Sequence, residues 1–302
     1  MSKRSTVFLG VLALSAAIAS AAQARPASAD HTMRAQEATR AAAAERTGND
    51  ALPAGDEQAG AALEKSPRHG EWADIAVPDS KATVRTWVVY PERKDKAPVV
   101  IVIHEIFGLT PWIRAVADQL ARDGFIAVAP DLLSGKGPNG GDTDAFASRD
   151  EVTAAVRGLT PEEVQKRLEA VRQHALKFPA ADGRSATIGF CWGGSTSFLH
   201  ATARPDLNAA VVYYGSSPDA AALASLKVPV LGLYGGDDAR VNATIEPAVA
   251  EIKRIGGTYE TEIYPGAGHG FLRGQSGREG ANRRATEQAW PRMLEFLRAH
   301  TR

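Results

Sequence analysis

The apolar residues of this chain form short runs that alternate with longer amphipathic segments from about residue 80 to the C-terminus. Short apolar runs of about 4–8 residues that are rich in β-branched and aromatic residues are typical of strands. We predict strands at residues 83–90, 99–103, 125–129, 186–189, 209–214, 228–234 and 259–264. The segments between them predict helices at residues 111–123, 161–178, 193–202, 245–255 and 281–300. This alternation predicts an α/β domain whose mostly parallel central sheet carries helices on both faces.

The loop at residues 131–150 is long and contains the run Ser134-Gly135-Lys136-Gly137-Pro138-Asn139-Gly140-Gly141. Loops of this length in compact domains usually border a functional site. We therefore expect this loop to form the rim or lid of a site.

The N-terminus has the pattern of an export signal. Basic residues at positions 3 and 4 precede an apolar, alanine-rich run at 7–22, and Ala22-Gln23-Ala24 provides an A-x-A cleavage site. This predicts a signal peptide at residues 1–24, with Ala27-Ser28-Ala29 as a second cleavage site. The alternative, an uncleaved membrane anchor, needs about 20 strongly apolar residues, and serines interrupt this run. We expect a bacterial protein that is periplasmic or secreted.

Residues 25–70 are rich in alanine and charged residues and predict a low-complexity extension or linker with a short helix at 31–46. The folded domain is then predicted at residues 71–302, a length that suits one α/β domain. Equal numbers of basic and acidic residues, 35 of each, argue against nucleic-acid binding. The chain has no phosphate-binding glycine motif and no zinc-ligand spacing, so we expect neither a cofactor nor a metal. The oligomeric state stays open.

The single cysteine, Cys191, is placed as a nucleophile would be. It lies in Gly189-Phe190-Cys191-Trp192-Gly193-Gly194, directly after a strand-like run, and small flanking residues suit a sharp strand-to-helix turn. The alternative is a small buried hydrophobic residue, since free cysteine is often buried. The flanking glycines favour the nucleophile. A helix that begins at Gly193 would lower the pKa of the thiol through its dipole.

An acid and a base follow the cysteine, each after a strand-like run. Asp238 lies in Gly235-Gly236-Asp237-Asp238, where Asp237 remains a competitor, and His269 lies between Gly268 and Gly270. The order nucleophile, acid, histidine is that of the α/β-hydrolase sheet. A histidine can take and return a proton near neutral pH, and a carboxylate fixes its tautomer. The alternatives are a solvated turn for the aspartates and an ordinary loop residue for the histidine.

From about residue 71 to 302 the chain resembles the dienelactone hydrolase (carboxymethylenebutenolidase) family of cysteine-dependent α/β-hydrolases. The motifs that carry the resemblance are Glu105-Ile106-Phe107-Gly108, Gly189-Phe190-Cys191-Trp192-Gly193-Gly194, Tyr213-Tyr214-Gly215, Gly235-Gly236-Asp237-Asp238 and Gly268-His269-Gly270-Phe271-Leu272-Arg273. The resemblance implies a Cys191, Asp238 and His269 triad, and a Glu105 that contacts the resting thiol and moves when substrate arrives. It also implies that Arg273 binds a substrate carboxylate. The resemblance also implies a second substrate arginine before the helix that precedes the elbow. Counting back along the chain from the elbow without gaps gives Arg149.

The residues themselves support parts of this assignment. Glu105 follows the strand at 99–103, so it lies at the edge of the sheet where such folds place their sites, although it could instead cap the next helix. A buried carboxylate beside a thiol needs a proton or a nearby cation, which Arg273 could supply. The oxyanion hole is expected from the backbone N–H groups of Trp192 and Ile106. Trp192 and Tyr213 are expected to line the pocket, whereas Tyr214 is expected to pack in the core.

These features predict a hydrolase of ester or lactone bonds that acts on a small molecule through an acyl-cysteine, and the Arg273 assignment implies a substrate that carries a carboxylate. One alternative is a general carboxylesterase or peptidase-like acyl hydrolase that uses the same triad. The other is a non-catalytic binding protein that retains the fold, because a fold alone does not establish function.

Overall fold

The computed structural model describes residues 51–302, and the compact unit begins at Leu52. Within these residues the strands form one eight-stranded sheet in the order β1-β2-β4-β3-β5-β6-β7-β8. Strand β2 runs antiparallel to both of its neighbours, β1 and β4, whereas all pairings from β4 to β8 are parallel. The strands are β1 Gly70–Ala76, β2 Thr83–Val89, β3 Ala97–Ile103, β4 Ile126–Pro130, β5 Ala181–Phe190, β6 Ala209–Tyr213, β7 Val230–Gly235 and β8 Tyr259–Tyr264.

Helices cover both faces of the sheet. They are α1 Asp56–Glu64, α2 Pro111–Arg122, α3 Arg149–Arg157, α4 Pro161–Ala175, α5 Trp192–Ala203, α6 Ala220–Leu223, α7 Ala239–Asn242, α8 Ile245–Arg254 and α9 Ala281–His300. Side chains of α2 and α9 pack with Val100 and Val102 of β3, while those of α4 pack with Val99 and Ile101 on the other face. Every residue of β3 is buried, as expected for a central parallel strand.

The predicted α/β architecture with a mostly parallel sheet is confirmed. All the strands and helices predicted between residues 83 and 300 are present, and the structure adds β1 at one edge of the sheet together with α1, α3, α6 and α7. The edge strand β1 is apolar mainly at Ile75, its only buried residue, so its sequence lacks the continuous run that marked the inner strands.

The segment that precedes β1 belongs to the compact unit, which the prediction of a linker over residues 25–70 did not anticipate. Helix α1 packs against α2, and Leu52 and Ala59 are buried in the same core as Trp112. Arg68 forms an ion pair with Asp118 of α2. The domain therefore starts at Leu52 rather than at residue 71. The predicted signal peptide and the predicted helix at 31–46 lie outside the described residues.

The loop at residues 131–150 is fixed to the domain by a buried carboxylate. Asp131 accepts hydrogen bonds from the backbone N–H and the hydroxyl of Thr143, each at 2.8 Å. The same hydroxyl accepts from the N–H of Leu109 at 3.1 Å. Residues at both ends of the loop pack against Ile106 and Trp192. The predicted rim or lid is thus a hydrogen-bonded rim beside the loop that follows β3.

Candidate active site

Cys191 lies in a strained turn between β5 and α5. Its backbone angles are φ 55° and ψ −116°, a conformation that L residues rarely adopt and that often marks a functional site. The turn is tight enough to require glycine on both sides. A Cβ atom on Gly189 would lie 1.9 Å from the carbonyl oxygen of Gly193, and one on Gly193 would lie 2.3 Å from that of His104. The small residues therefore form the strand-to-helix elbow that the sequence predicts.

The surroundings of the thiol favour its protonated form. Burial and the negative charge of Glu105 raise the pKa of Cys191, although the backbone N–H groups of Trp192 and Ile106 and the charge of Arg240 act in the opposite direction. The backbone N–H at the start of the helix lowers this pKa, in the predicted direction, but desolvation outweighs it and the net shift is upward. Both N–H groups therefore lie near the sulfur, on the loop after β3 and at the start of α5, which is the place from which oxyanion-hole donors act.

A carboxylate and an imidazole meet on the loops that follow β7 and β8. Oδ2 of Asp238 lies 2.5 Å from Nδ1 of His269, and the side chains are 8% and 34% exposed, respectively. Oδ1 of Asp238 also accepts from the N–H of Val241 and so caps α7. Asp237 points outward and pairs with Arg278 at 3.0 Å. Of the two adjacent aspartates, Asp238 is thus the one that orients the histidine.

A buried histidine, His104, anchors the loop that contains Ile106. Nε2 of His104 accepts from the backbone N–H of Leu132 at 3.3 Å, and Nδ1 lies 2.7 Å from the carbonyl oxygen of Glu105. A backbone N–H can only donate, so the neutral ring carries its proton on Nδ1 and donates it to Glu105. Burial lowers the pKa of His104, which keeps the ring neutral. Its ring stacks on Trp192, and it thereby connects the loop after β3 with the start of α5.

Glu105 is an almost fully buried carboxylate with one cationic partner. Its Oε2 lies 2.7 Å from Nε of Arg273, and only 4% of its side chain is exposed. Burial raises the pKa of Glu105 to about 7, against the opposing effect of Arg273. Near neutral pH Glu105 can therefore be either ionised or protonated. The loss of its arginine partner would favour the protonated form.

The second predicted arginine also reaches this region. Arg149 is the first residue of α3, and its guanidinium lies over the ring of Phe107, with Cζ 3.9 Å from the ring centroid. Cζ of Arg273 lies 5.3 Å from the same centroid. The charge of Arg149 lowers the pKa of Glu105. The two arginines thus flank Phe107 and both act on Glu105.

Of the two adjacent tyrosines, Tyr214 rather than Tyr213 lies at the site. The hydroxyl of the fully buried Tyr213 donates to the carbonyl of Ala289 at 3.3 Å, so the prediction that this residue lines the pocket is wrong. Tyr214, the first residue after β6, has a φ of 40°, and its ring packs edge-on against His269. Burial and then the charge of Glu105 raise its pKa, with a smaller contribution from Cys191. Its buried hydroxyl has no hydrogen-bond partner among residues 51–302.

These side chains converge because each follows a strand. Cys191 and Tyr214 come directly after β5 and β6, while Glu105, Asp238 and His269 lie two, three and five residues after the ends of β3, β7 and β8. The carboxyl ends of parallel strands meet at one edge, where α/β sheets place their sites. A thiol beside two N–H donors, together with an oriented imidazole on a neighbouring loop, is an arrangement that suits acyl transfer. Arg240, which the sequence analysis missed, adds a cation near the sulfur.

In the part of the chain that the structure describes, no group of three or more histidine, cysteine or acidic side chains is arranged to hold a metal ion. None of the helices in residues 51–302 has the length and apolar character needed to cross a bilayer.

Comparison with known proteins supports a single family. The sequence model of the dienelactone hydrolase family matches residues 84–301. A Salmonella typhimurium protein named "Putative carboxymethylenebutenolidase" is 31% identical over 238 residues, which cover 74% of this chain and 85% of that protein. Carboxymethylenebutenolidase 1 of Cupriavidus pinatubonensis is 30% identical over 206 residues, with 67% of this chain and 86% of that protein covered. A crystal structure of a Klebsiella pneumoniae "Putative Dienelactone Hydrolase" superposes with a TM-score of 0.65 at 29% identity, covering 75% of this chain and 98% of that one.

Proposed function

The chain belongs to the dienelactone hydrolase family of hydrolases, and on this basis we propose that it cleaves ester or lactone bonds of a small substrate through an acyl-cysteine intermediate. The observation that carries the proposal is the position of Cys191 on a strained elbow, near the N–H groups of Trp192 and Ile106. The His269–Asp238 pair on the neighbouring loops supplies the base.

The proposed reaction has two acyl-transfer steps. The sulfur of Cys191 attacks the carbonyl carbon while Nε2 of His269 takes the thiol proton, and the two N–H groups stabilise the oxyanion. Collapse of this intermediate breaks the carbon–oxygen bond, and the leaving oxygen takes the proton from His269. A water molecule, deprotonated by His269, then attacks the thioester and releases the carboxylic acid and the free thiol.

Glu105 and Arg273 would couple substrate binding to the protonation state of the Cys191 thiol. Without substrate, the charge of Glu105 disfavours the thiolate, and Arg273 pairs with that carboxylate. A substrate carboxylate bound to Arg273 would compete with Glu105 for the guanidinium. Release of Glu105 from its partner would favour uptake of a proton, and a neutral Glu105 no longer opposes the thiolate.

Arg273→Ala is expected to weaken the use of anionic substrates. The guanidinium is always charged and forms forked hydrogen bonds to carboxylates, so its loss should cost about 1.5–3 kcal/mol for an anionic ester or lactone. This corresponds to a roughly 10- to 150-fold increase in KM. Steady-state kinetics with an anionic ester and a neutral ester of similar size would measure the difference.

Two comparisons give this experiment its controls. The neutral ester should be affected far less, because it offers no anion to Arg273. Arg149→Ala in the same assay tests the second arginine at the ring of Phe107. Equal losses on the anionic and the neutral ester would mean that Arg273 serves only to hold Glu105, and the preference for a carboxylate would have to be abandoned.

A panel of lactones and p-nitrophenyl esters, assayed with the mature protein, tests the proposed activity. Mass spectrometry of the quenched reaction should show the acyl group on the peptide that contains Cys191. Hydrolysis with other substrate preferences would identify a general carboxylesterase on the same triad. Absence of both turnover and adduct across the panel would favour a binding protein that retains the fold.

We also propose that the protein acts outside the cytoplasm of a bacterial cell, after removal of residues 1–24. The support is the sequence alone, with its basic start, its apolar run and the A-x-A site at Ala22-Gln23-Ala24. Mass spectrometry of protein from a periplasmic extract should find Arg25 as the first residue, or Asp30 if the second site is used. Recovery from the cytoplasm with Met1 or Ser2 at the N-terminus would contradict export.

A further inference from the structure

The proposed carboxylate-binding arginine already faces a carboxylate from the N-terminal segment of the chain. Oδ2 of Asp56 lies 3.5 Å from Nη1 of Arg273, whereas Glu105 contacts a different nitrogen of the same guanidinium, Nε. The backbone N–H of Asp56 donates to the carbonyl of Arg273 at 3.0 Å. Asp56 precedes residue 84, where the match to the family begins. The contact is therefore made by a part of this chain outside the matched region.

Several contacts fix Asp56 in this place. The carbonyl of Pro53 accepts from Nε2 of Gln275 at 2.9 Å, and that of Ala54 accepts from Nε1 of Trp112 at 3.1 Å. Ala59, on the first turn after Asp56, is 1% exposed. Because the backbone on both sides of Asp56 is held against the domain, its carboxylate is kept near Arg273 rather than free in solvent.

The charge of Asp56 acts on the interior of the site as well as on its rim. The Asp56 side chain is 41% exposed, which places it between solvent and the guanidinium. Its negative charge nonetheless helps to raise the pKa of the buried Glu105, next to the larger effect of burial. An incoming substrate carboxylate would therefore meet both a partly occupied arginine and a repulsive charge.

We propose that Asp56 is a specificity-determining residue, which competes with substrate carboxylates for Arg273 and biases the enzyme toward neutral or weakly anionic substrates. This inference rests on the proposed function, in which Arg273 binds a substrate carboxylate. A fixed internal carboxylate sets a threshold, so that only an anion that binds Arg273 better than Asp56 does gains access to the guanidinium.

The test compares Asp56→Asn with Glu57→Gln. Glu57 is the next residue of the same helical turn, and its change removes the same charge without touching Arg273. We expect Asp56→Asn to raise the ratio of kcat/KM for mono-p-nitrophenyl glutarate over that for p-nitrophenyl butyrate about two- to fivefold, as for a partly exposed ion pair. The gain should lie in KM and shrink at high salt, since screening weakens exposed pairs. Glu57→Gln should leave the ratio unchanged.

A binding measurement separates this inference from the proposed function. Calorimetric titration with phenylacetate and with the neutral phenylacetamide needs no turnover, and Asp56→Asn should bind phenylacetate more tightly by the same factor relative to phenylacetamide. Tighter phenylacetate binding without ester hydrolysis by any variant would reject the hydrolase and keep the role of Asp56. Hydrolysis with an unchanged ratio and unchanged phenylacetate affinity, or the same shift in Glu57→Gln, would overturn the role of Asp56.

Discussion

Replacing Cys191 by alanine is expected to reduce ester hydrolysis by a factor on the order of 10⁴ or more, as loss of a nucleophile does in other acyl-transfer enzymes. The physical reason is that alanine leaves the N–H groups of Trp192 and Ile106 in place but removes the atom that forms the acyl intermediate. Cys191→Ser should be slower than the wild type while retaining some activity, because its hydroxyl is a much weaker acid than a thiol. The measurement is kcat/KM on a p-nitrophenyl ester that the wild type hydrolyses.

The fold should survive this change. Cys191 is only partly buried, and alanine removes a single sulfur atom from the edge of the core. We expect a shift in melting temperature within about 4 °C for a domain of this size. Because the chain has one cysteine, iodoacetamide should inactivate the wild type but not Cys191→Ser. Near-normal activity of a folded Cys191→Ala would exclude the acyl-cysteine mechanism.

The strands that build the site could be predicted because their burial is continuous. In β3 and β4 every residue is buried, so the apolar run alone identifies the strand and its end. The edge strand β1 buries only Ile75, and Glu71 and Asp74 interrupt its apolar residues, so the sequence shows no continuous apolar run there. Helix α1 falls within the predicted linker for a similar reason, because an alanine-rich segment buries little apolar surface. Only its contact with α2 shows that it belongs to the domain.

Within the site, the sequence predicts which residues contribute side chains more easily than it predicts what surrounds each side chain in the fold. The strand ends located Cys191, Asp238 and His269, which the structure brings to one edge of the sheet. The assignment failed by one residue at the tyrosine pair. Tyr213 ends β6 and points into the core, whereas Tyr214 turns to His269 in a strained conformation that the sequence does not reveal. The sequence predicts the contribution of the helix N-terminus to the thiol pKa but not the net direction of the shift, because that direction depends on burial and on the distance to Glu105, which only the fold sets.

The paired aspartates provide a second test with a large expected effect. Asp238→Asn should lower kcat by a factor on the order of 10³–10⁴, the scale seen for the equivalent change in a serine triad. The Asp238 carboxylate accepts a hydrogen bond from Nδ1–H of His269, which in the proposed reaction leaves Nε2 free to take the thiol proton. An amide can instead donate to Nδ1, which places the proton on Nε2, where it blocks the general base. Asparagine is as good a helix N-cap as aspartate, so the cap on α7 should be retained.

Asp237→Asn is the matched control, because it makes the same chemical change one residue away. Asp237 lies on the exposed side of the turn, where it pairs with Arg278 at 3.0 Å, and exposed pairs contribute little. Its kcat should stay within about twofold of the wild type, since the His269 contact is untouched. Melting curves of both variants should match the wild type, which would assign the loss in Asp238→Asn to chemistry rather than to folding. A large loss in Asp237→Asn with a small one in Asp238→Asn would make Asp237 the acid, and the 2.5 Å contact between Asp238 and His269 would then have no part in catalysis.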